Sequence, residues 1–471
     1  MHDIIIIGAG VIGCSVARVL SVYNLDVLVL EKENDVCEGA SKANSAILHS
    51  GYDPKPNTLK AKYNVLGNPL FDNLCKELDI SISRCGSITI ATNEEEVENL
   101  YKLKERAKIN NVEVEIISKE KVLELEPNIN PNVLMGLLAP TAGIINPFEL
   151  CIALMENAMD NGVKLNLNEK VIDIKKSDFF HVSTIKQTYS CKCIINCSGV
   201  YADEVNELLN PKSFTIMPRR GEYIVLDHFD NNFLNHVIFT PPTLKGKGVL
   251  ITPTTANNYL IGPSSNFIDL KDDVRTSIDI IDEVKEKATK IINNIPFKKM
   301  IKQFAGIRAV SNTDDFIIEE TSEGFINVAG IQSPGLVSSY AIAIDVFNMI
   351  KSKFDISKKS NYSSTRRKVI WLNKLSEFEK LKLIKTNKQY SNIICRCENV
   401  SEGEIRDAIN RNCGATSIMG VKKRVRPGFG KCQGSFCQPK IVKILSEELR
   451  IDPEQVLYNN EPFLELKSKK L

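Results

Sequence analysis

The stretch D-I-I-I-I-G-A-G-V-I-G, residues 3–13, decides the fold of this chain. Its isoleucines end at a glycine and predict a short strand that is buried on both faces, as in a parallel sheet. Gly8, Gly10 and Gly13 form a G-x-G-x-x-G turn, and the apolar spacing after them predicts a helix. Such glycines permit a tight turn, close approach to a pyrophosphate, and close packing of helix on strand. The stretch therefore predicts a Rossmann-type α/β domain.

The next segment favours a dinucleotide ligand. A second strand, D-V-L-V-L, ends in Glu31, whose carboxylate can accept hydrogen bonds from both ribose hydroxyls and would repel a 2′-phosphate. A lone glycine motif is weak, and the alternative is a turn without a ligand. Strand, turn, helix, strand and acid in this order make the prediction more specific. NAD and FAD share the ADP half that the motif recognises, so both stay open here.

The composition is that of a soluble protein with more than one domain. At 471 residues the chain is longer than a single core usually supports. The net charge of +2 does not favour a nucleic-acid partner, and no apolar run is long enough for an integral membrane segment. No basic region precedes the isoleucines, which argues against a signal peptide. We expect a cytoplasmic protein, with a peripheral place at the membrane through a partner as the alternative.

Three further segments favour FAD. Small residues follow the second strand in E-G-A-S-K-A-N-S, residues 38–45, as expected where a chain crosses a large cofactor. Residues 191–199 predict a strand that ends in Ser198 and Gly199. Residues 325–336 predict a strand, a glycine turn and a helix start, whose N–H groups could face the O2 edge of an isoalloxazine ring.

These motifs resemble those of the FAD-dependent amine and hydroxy-acid oxidoreductases typified by D-amino-acid oxidase. The resemblance also includes T-A-G-I-I-N-P-F-E-L (141–150), F-A-G-I-R (304–308) and A-G-I-Q-S-P-G-L (329–336). Residues 44–61, N-S-A-I-L-H-S-G-Y-D-P-K-P-N-T-L-K-A, are similar to the L-2-hydroxyglutarate and glycerol-3-phosphate dehydrogenase branch. The resemblance implies an α/β fold with a Rossmann-type FAD-binding domain (about 1–78, 144–210 and 301–350) interleaved with a β-rich substrate domain (about 79–143 and 211–300).

The resemblance also implies a set of contacts to FAD from both halves of the Rossmann domain. The predicted cofactor-binding residues are Gly8, Gly10, Gly13, Glu31, Lys32, Ser41, Asn44, Ser45, Val171, Ser198, Gly199, Gly330, Gly335 and Leu336.

Two residues are candidates for the chemistry at the flavin. His49, in L-H-S-G-Y, is the candidate general base because the pKa of histidine lies near working pH; a structural or flavin contact is the alternative. Arg308 resembles the family's anion-binding arginine, whose planar fork suits carboxylate or phosphate; pairing with Asp314 or Asp315 is the alternative.

Four other cations belong to the predicted substrate domain. Arg219 or Arg220 could supply a second cation to the site, or both could form a solvated pair. Lys245 and Lys247 could lie on a hairpin over it.

Near the C-terminus, Cys395, Cys397, Cys432 and Cys437 form a second candidate centre. Thirteen cysteines, an odd number in a chain expected to be reduced, do not favour a disulfide framework. Four thiolates without histidine suit an iron–sulfur cluster or zinc, and absence of metal is the third possibility. The unit resembles the [2Fe–2S] domain of bacterioferritin-associated ferredoxin, except that four residues rather than two separate the last two cysteines. That spacing resembles the tail of the large subunit of anaerobic glycerol-3-phosphate dehydrogenase.

The C-terminal region divides into three parts. Residues 351–391 predict a polar linker with a helix from Ile370 and an anchor at Trp371. Residues 392–445 predict a small helical [2Fe–2S]-type domain, in which Ser401 and Glu404 form a capping box and a second helix starts after Cys437. Residues 446–471 form a tail.

A basic stretch precedes Cys432. It could raise the reduction potential of a nearby cluster or form a solvated face, and it contains Lys422, Lys423, Arg424, Arg426 and Lys431. The other cysteines are expected to be small core residues.

Together these resemblances imply an FAD-dependent dehydrogenase that passes electrons through a [2Fe–2S] cluster to a partner subunit. The small anionic substrate is expected to be glycerol 3-phosphate, oxidised to dihydroxyacetone phosphate; L-2-hydroxyglutarate is the second candidate and an amino acid or opine the third. A disulfide reductase would place a C-x-x-x-x-C after the second strand, where only Cys37 stands. A non-catalytic binding module would not explain the segments around His49 and Arg308.

Overall fold

The computed structural model describes residues 1–229, 233–241 and 248–464. Their strands, in chain order, are β1 (His2–Ile7), β2 (Val27–Leu30), β3 (Ile47–Leu48), β4 (Ile82–Ser83), β5 (Ser87–Ala91), β6 (Glu115–Ser118), β7 (Met135–Ala139), β8 (Gly143–Ile145), β9 (Lys164–Asn166), β10 (Val171–Lys176), β11 (Phe180–Thr184), β12 (Thr188–Asn196), β13 (Ile216–Leu226), β14 (Val237–Phe239), β15 (Leu250–Pro253), β16 (Tyr259–Gly262), β17 (Asn266–Phe267), β18 (Met300–Ser311), β19 (Ile317–Ser322), β20 (Phe325–Ala329), β21 (Ile393–Cys395) and β22 (Val400–Ser401).

The α-helices of the same residues are α1 (Val11–Leu20), α2 (Leu59–Gly67), α3 (Leu70–Leu78), α4 (Glu94–Ile109), α5 (Lys119–Leu125), α6 (Pro147–Asp160), α7 (Ala202–Glu207), α8 (Ile278–Ile291), α9 (Gly335–Ile350), α10 (Glu377–Thr386), α11 (Glu402–Ile409), α12 (Ile418–Val425) and α13 (Gln438–Leu449). No helix in the described part of the chain combines the length and the apolar character that crossing a bilayer requires.

The first sheet is organised around β1, as the isoleucine run predicts. β1 pairs in parallel with β2 on one side and β12 on the other, and β12 pairs in parallel with β20. Ile4, Ile5 and Ile6 are fully buried, because β1 is central and α1, α6 and α9 contribute to the core on one face. This is the predicted Rossmann-type arrangement, with the glycine turn at the carboxyl end of β1.

A second sheet of nine strands forms the β-rich part of the molecule. Its longest antiparallel pair is β13 with β18, whose register runs from Ile216 opposite Ser311 to Leu226 opposite Met300. β18 therefore belongs to this sheet, although the predicted division at residue 301 assigned it to the FAD-binding part. β18 belongs to the second sheet because it forms hydrogen bonds with β13, and a short sequence motif does not predict such pairing.

The C-terminal region has a core of its own, built by α11, α12 and α13. The capping box of Ser401 and Glu404 is present and starts α11, and α13 begins directly after Cys437, both as predicted. The linker helix, by contrast, begins at Glu377 rather than at Ile370, because the capping box of Ser376 sets its start. Trp371 packs against the C-terminal core and so anchors the linker.

Buried ion pairs fix this region to the Rossmann part. Arg424 binds both carboxylate oxygens of Asp35 at 2.8 Å, and Lys423 Nζ lies 2.7 Å from Glu38. These two residues of the basic stretch thus form neither a solvated face nor a shell around the cysteines. They attach α12 to the segment that follows β2.

Candidate functional site

The glycine turn between β1 and α1 has the close contacts that its sequence predicts. A Cβ on Gly13 would stand 1.9 Å from the carbonyl oxygen of Gly8, and Gly8 itself has a φ of +101°. A Cβ on Gly10 would meet only Ser41 Oγ, at 3.1 Å. The turn therefore needs glycine at Gly13 for packing, while Gly10 keeps the space in front of the α1 N-terminus open for a phosphate group.

Glu31 and Ser41 border this turn. Glu31 Oε2 accepts a hydrogen bond from the N–H of Ala9 at 2.7 Å, and burial raises the pKa of its carboxyl. Ser41 Oγ accepts a hydrogen bond from the N–H of Val11 at 2.9 Å, in the first turn of α1. The acid and the hydroxyl thus stand beside the positions where the ribose and pyrophosphate of a dinucleotide would bind.

The segment after Ser41 packs against the second sheet. Asn44 stabilises its own turn, donating to the carbonyl of Ser41 at 2.9 Å and accepting from the N–H of Ala46 at 2.8 Å. Ser45 Oγ lies 3.2 Å from the hydroxyl of Tyr223. Lys32 lies apart from these residues: it pairs with Glu33 at 2.6 Å and lies over the ring of Tyr201.

The remaining predicted cofactor residues come from three later strands and their loops. A Cβ on Gly8 would lie 3.2 Å from Ser198 Cα, so the turn after β12, with Gly199, lies against the glycine turn. Val171 opens β10, and the N–H of Glu169 just before it donates to the carbonyl of Glu31 at 2.8 Å. Gly330 directly follows β20, whereas Gly335 and Leu336 begin α9. The turn after β12 and the residues before β10 thus lie beside the glycine turn and Glu31, and the roles of these residues at FAD stay predictions.

His49 lies between α2 and the loop that leads into α9. Its carbonyl oxygen accepts hydrogen bonds from the side-chain amides of Asn64 and Asn68 at 2.7 and 3.0 Å, which hold the backbone of this residue. Its Nε2 lies 3.3 Å from Ser333 Oγ. The half-buried imidazole also borders a pocket lined by Tyr52, Thr89 and Phe239 among others.

Arg308 faces Arg219 directly across β13 and β18. Burial lowers the pKa of Arg219, and the charge of Arg308 lowers it further. The alternative partners of Arg308 bind other groups: Asp314 pairs with Lys60, and Asp315 accepts the N–H groups of Leu59 and Lys60. The charge of Asp314 offsets part of the lowering of the pKa of Arg219. The arginine pair is therefore a concentration of positive charge that suits an anion.

Arg220 does not join this pair. It binds Asp273 at 2.8 Å and lies 3.3 Å from buried Glu222, so it is structural. Of the two predicted candidates for a second cation, Arg220 is thus engaged elsewhere, and Arg219 stays a prediction. Lys245 and Lys247 lie outside the described residues.

One face of the β13–β18 pair adds features that the sequence did not reveal. Tyr223 stacks on Phe304, its cross-strand partner, at 4.8 Å between ring centroids. The next pair on this face is Gly221 opposite Gly306, where a Cβ on Gly306 would stand 2.0 Å from the carbonyl oxygen of Ala43. Gly306 lets the sheet approach the 41–45 segment closely. Only the strand register reveals this arrangement.

The four C-terminal cysteines meet as two pairs. Cys397 Sγ lies 3.6 Å from Cys432 Sγ, and the thiol of Cys437 shares a hydrogen bond with Cys395. That hydrogen bond lowers the pKa of Cys395 to about 6, with help from the N–H groups of Gly428, Glu398 and Cys397. Among residues 1–229, 233–241 and 248–464, no group of three or more His, Cys, Asp or Glu side chains is gathered around one point as for a single ion. Two thiol pairs suit the two irons of a [2Fe–2S] cluster.

The other nine cysteines are mostly core residues, as predicted. Eight are buried and Cys85 is half-buried, and burial is the main reason that the pKa values of their thiols are raised. They are Cys14, Cys37, Cys75, Cys85, Cys151, Cys191, Cys193, Cys197 and Cys413.

Fold and site together define a flavin-dependent oxidoreductase with an attached iron–sulfur domain. Residues 3–348 match the family model of the DAO-type FAD dependent oxidoreductases, and residues 393–447 match the BFD-like [2Fe-2S] binding domain. The chain belongs to the DAO family of FAD dependent oxidoreductases.

Two curated relatives differ in how much of the chain they cover. A glycerol 3-phosphate dehydrogenase of Caloramator mitchellensis is 47% identical over 98% of this chain and 97% of its own length. An L-2-hydroxyglutarate dehydrogenase of Escherichia coli is 31% identical over 56% of this chain and 64% of its own length.

A solved structure matches the first part of the chain. The FAD-bound L-α-glycerophosphate oxidase of Mycoplasma pneumoniae superposes with a TM-score of 0.74 at 31% identity, covering 79% of this chain and 99% of its own. This chain is thus similar to a flavoenzyme over most of its length, and about a fifth of it has no counterpart there.

Proposed function

We propose that the protein oxidises glycerol 3-phosphate to dihydroxyacetone phosphate and passes the electrons through the [2Fe–2S] cluster to a partner protein. The observation that carries this proposal is the similarity to a glycerol 3-phosphate dehydrogenase along nearly the whole chain, including both the flavin and the cysteine regions. The arginine pair supports the same substrate, because a phosphate dianion can accept hydrogen bonds from two guanidinium groups.

Each residue of the site has a separate role. FAD, when bound along the glycine turn with Glu31 at its ribose, supplies the acceptor for the hydride that leaves the carbinol carbon. Arg308 and Arg219 bind and orient the phosphate of the substrate. His49 accepts the proton of the secondary hydroxyl, and Ser333 holds the imidazole through the 3.3 Å contact with Nε2. Backbone N–H groups at the start of α9 add positive potential for negative charge that develops nearby.

The cysteine region explains why oxygen is not the expected acceptor. Hydride transfer delivers two electrons together, whereas a [2Fe–2S] cluster, when bound by Cys395, Cys397, Cys432 and Cys437, supplies a one-electron carrier. Direct reaction of reduced flavin with oxygen needs no such centre, and the Mycoplasma pneumoniae oxidase is matched by only 79% of this chain. The acceptor is therefore a partner protein, in the cytoplasm or at the membrane surface.

L-2-hydroxyglutarate is the second candidate substrate. It presents a secondary alcohol beside an anion, which the same arginines could bind, and a dehydrogenase for it is 31% identical over 56% of this chain. That relative does not extend over the whole chain, so it ranks below glycerol 3-phosphate.

The test is anaerobic titration of the purified protein with each substrate. We expect a flavin spectrum that bleaches with glycerol 3-phosphate and persists with L-2-hydroxyglutarate. Bleaching by L-2-hydroxyglutarate alone would reverse the substrate ranking. A protein purified without flavin absorption, and unable to take up FAD, would disprove the proposal as a whole.

A further inference from the structure

The four thiols of the C-terminal domain form a buried pair and a more exposed pair, which define an inner and an outer side. Cys395 and Cys437 are buried in its core, whereas Cys397 is exposed and Cys432 is half-exposed. On the inner side, Lys422 is only 2% exposed and lies over the ring of Phe429, which in turn contacts Phe148 of α6. The inner side thus faces the Rossmann part, and the outer thiols face solvent. Electrons that enter from the flavin would leave through the outer side.

Exposed cations lie close in the chain to the four cysteines. Arg396 lies between Cys395 and Cys397, Lys431 precedes Cys432, and Lys440 lies in the first turn of α13; all three are exposed. The nearby carboxylates are engaged elsewhere, since Glu398 binds Arg426 at 2.9 Å and Glu402 binds Arg406 at 2.7 Å. Within the described part of the chain, none of the three cations has an ion-pair partner.

An exposed aromatic side chain lies in the loop between the last two cysteines. Phe436, between Cys432 and Cys437, is 80% exposed. An exposed aromatic residue inside a charged rim is the composition of an interface with one anchor and an electrostatic periphery. The segments around the outer thiols therefore combine an exposed cysteine of the proposed cluster, an apolar anchor and positive charges that have no ion-pair partner among the described residues.

We propose that this face, consisting of Phe436, Arg396, Lys431 and Lys440, is the docking surface for an acidic one-electron carrier protein. The proposal deepens the function proposed above and rests on it, because the electrons come from substrate oxidation. Each alcohol oxidised to a ketone releases two electrons and two protons. The electrons reduce two molecules of the oxidised carrier, one each, and the protons pass to solvent.

The occupant is a protein rather than a lipid surface for a chemical reason. Negatively charged headgroups would also be attracted to these cations, but they cannot accept electrons from the exposed thiol side. Complementary charge on a carrier would both orient it toward Cys397 and speed its encounter, with an effect that salt weakens.

The first experiment measures binding, independently of turnover. Reduced plastocyanin, an acidic copper protein, and reduced cytochrome c, a basic haem protein, are titrated at low ionic strength into the holoenzyme by calorimetry. We expect plastocyanin to bind and cytochrome c not to bind. Arg396→Glu/Lys431→Glu should weaken plastocyanin binding by about tenfold or more, and Phe436→Ala should weaken it by a similar factor with the salt dependence retained.

A matched variant tests whether overall charge is responsible. Lys104 and Lys108 are exposed on α4, in the part of the chain outside the cysteine domain, so Lys104→Glu/Lys108→Glu makes the same change in net charge. This variant should bind plastocyanin as the unaltered protein does. Equal loss in both double variants, or no loss in either, would overturn the proposal. Iron content and flavin absorption, measured on every variant, show that each remains loaded and folded.

The second experiment separates this proposal from the proposed function. Oxidised plastocyanin and a small neutral dye are compared as acceptors during glycerol 3-phosphate oxidation. We expect the Arg396→Glu/Lys431→Glu variant to lose plastocyanin reduction about tenfold while keeping dye reduction. If no substrate reduces the flavin, the proposed function fails, and the binding experiment still decides the surface. If the variant instead loses binding to phosphatidylglycerol vesicles and keeps plastocyanin binding, the face is a lipid site and the carrier proposal is wrong.

Discussion

Arg219 and Arg308 are direct cross-strand neighbours in the β13–β18 pair. Like charges placed opposite each other destabilise an antiparallel sheet, and burial together with Arg308 lowers the pKa of Arg219. Such a pair is stabilised by an anion that lies between or beside the two guanidinium groups. We therefore expect the anion of the substrate to complete this site.

Replacement of Arg308 should impair recognition of the substrate. In Arg308→Ala, kcat/KM for glycerol 3-phosphate should fall by roughly 10- to 150-fold, because a charge-assisted contact contributes about 1.5–3 kcal/mol. Steady-state kinetics with an artificial acceptor measure this change. Arg275→Ala is the matched control, since Arg275 is exposed and, among the described residues, forms an ion pair with Asp273 alone. Unchanged kinetics in Arg308→Ala would remove it from the site.

Arg219 should matter more for substrate binding than for stability. In Arg219→Gln both the cross-strand repulsion and the contact with the ring of Phe267 are lost, so the melting temperature without substrate should change little. KM for glycerol 3-phosphate should rise in the same variant, by about tenfold for loss of one charged contact. Differential scanning fluorimetry with and without glycerol 3-phosphate measures both. A lower melting temperature with unaltered KM would show that Arg219 is structural only.

The two glycines of the dinucleotide turn should respond differently to alanine. Gly13→Ala places a Cβ 1.9 Å from a backbone oxygen that cannot move freely, so the protein should lose both FAD and thermal stability. Gly10→Ala meets only the Ser41 hydroxyl at 3.1 Å, which can rotate, so the apoprotein should keep its stability and lose FAD affinity. Flavin content after gel filtration and the melting temperature of the apoprotein distinguish the two outcomes. If Gly10→Ala keeps full FAD affinity, the turn does not approach a pyrophosphate.

The buried pair of Asp35 and Arg424 should make attachment of the cysteine domain sensitive to acid. Arg424 and Lys423 lower the pKa of Asp35 to about 2. Because this value lies below the unfolded value of about 3.9, the charged pair stabilises the fold above about pH 4, and that contribution is lost as pH falls toward 2.

Asp35→Asn leaves two buried cations without this carboxylate, so it should lower the free energy of unfolding by about 3–5 kcal/mol at neutral pH. The difference in unfolding free energy between the original protein and Asp35→Asn should shrink as the pH drops below about 4. Denaturant titrations at several pH values measure it. Asp72→Asn is a surface control, since the pair of Asp72 with Arg84 is exposed. A difference that does not change with pH would contradict the assigned pKa.

The features that were predictable from sequence are those determined locally. The glycine turn, the strand that precedes it and the capping box of Ser401 and Glu404 each depend on residues that are close in the chain. Arg308 was found through a resemblance, but its pairing with Arg219 depends on the register of two strands. Arg424 is separated from Asp35 by 389 positions, so a basic stretch in sequence gives no sign that it is buried. The start of α10 was misplaced because apolar residues around Trp371 suggested helix, whereas their packing against the C-terminal core accounts for their apolar character.

The cysteine pairs lead to the last prediction, which concerns the metal. Cys432 belongs to the outer pair with Cys397, at 3.6 Å between the sulfur atoms, whereas Cys413 is a buried cysteine of the same domain outside both pairs. Cys432→Ser should lose iron and keep FAD, because the flavin site is formed by residues of the Rossmann part. Glycerol 3-phosphate should still bleach its flavin, but electron delivery to a protein acceptor should fall by about tenfold or more, since the one-electron carrier is missing. Iron analysis, visible spectra and acceptor reduction measure the three effects separately. Cys413→Ser should keep its iron, and retention of iron by Cys432→Ser with a normal cluster spectrum would contradict the assignment of Cys432 as a ligand.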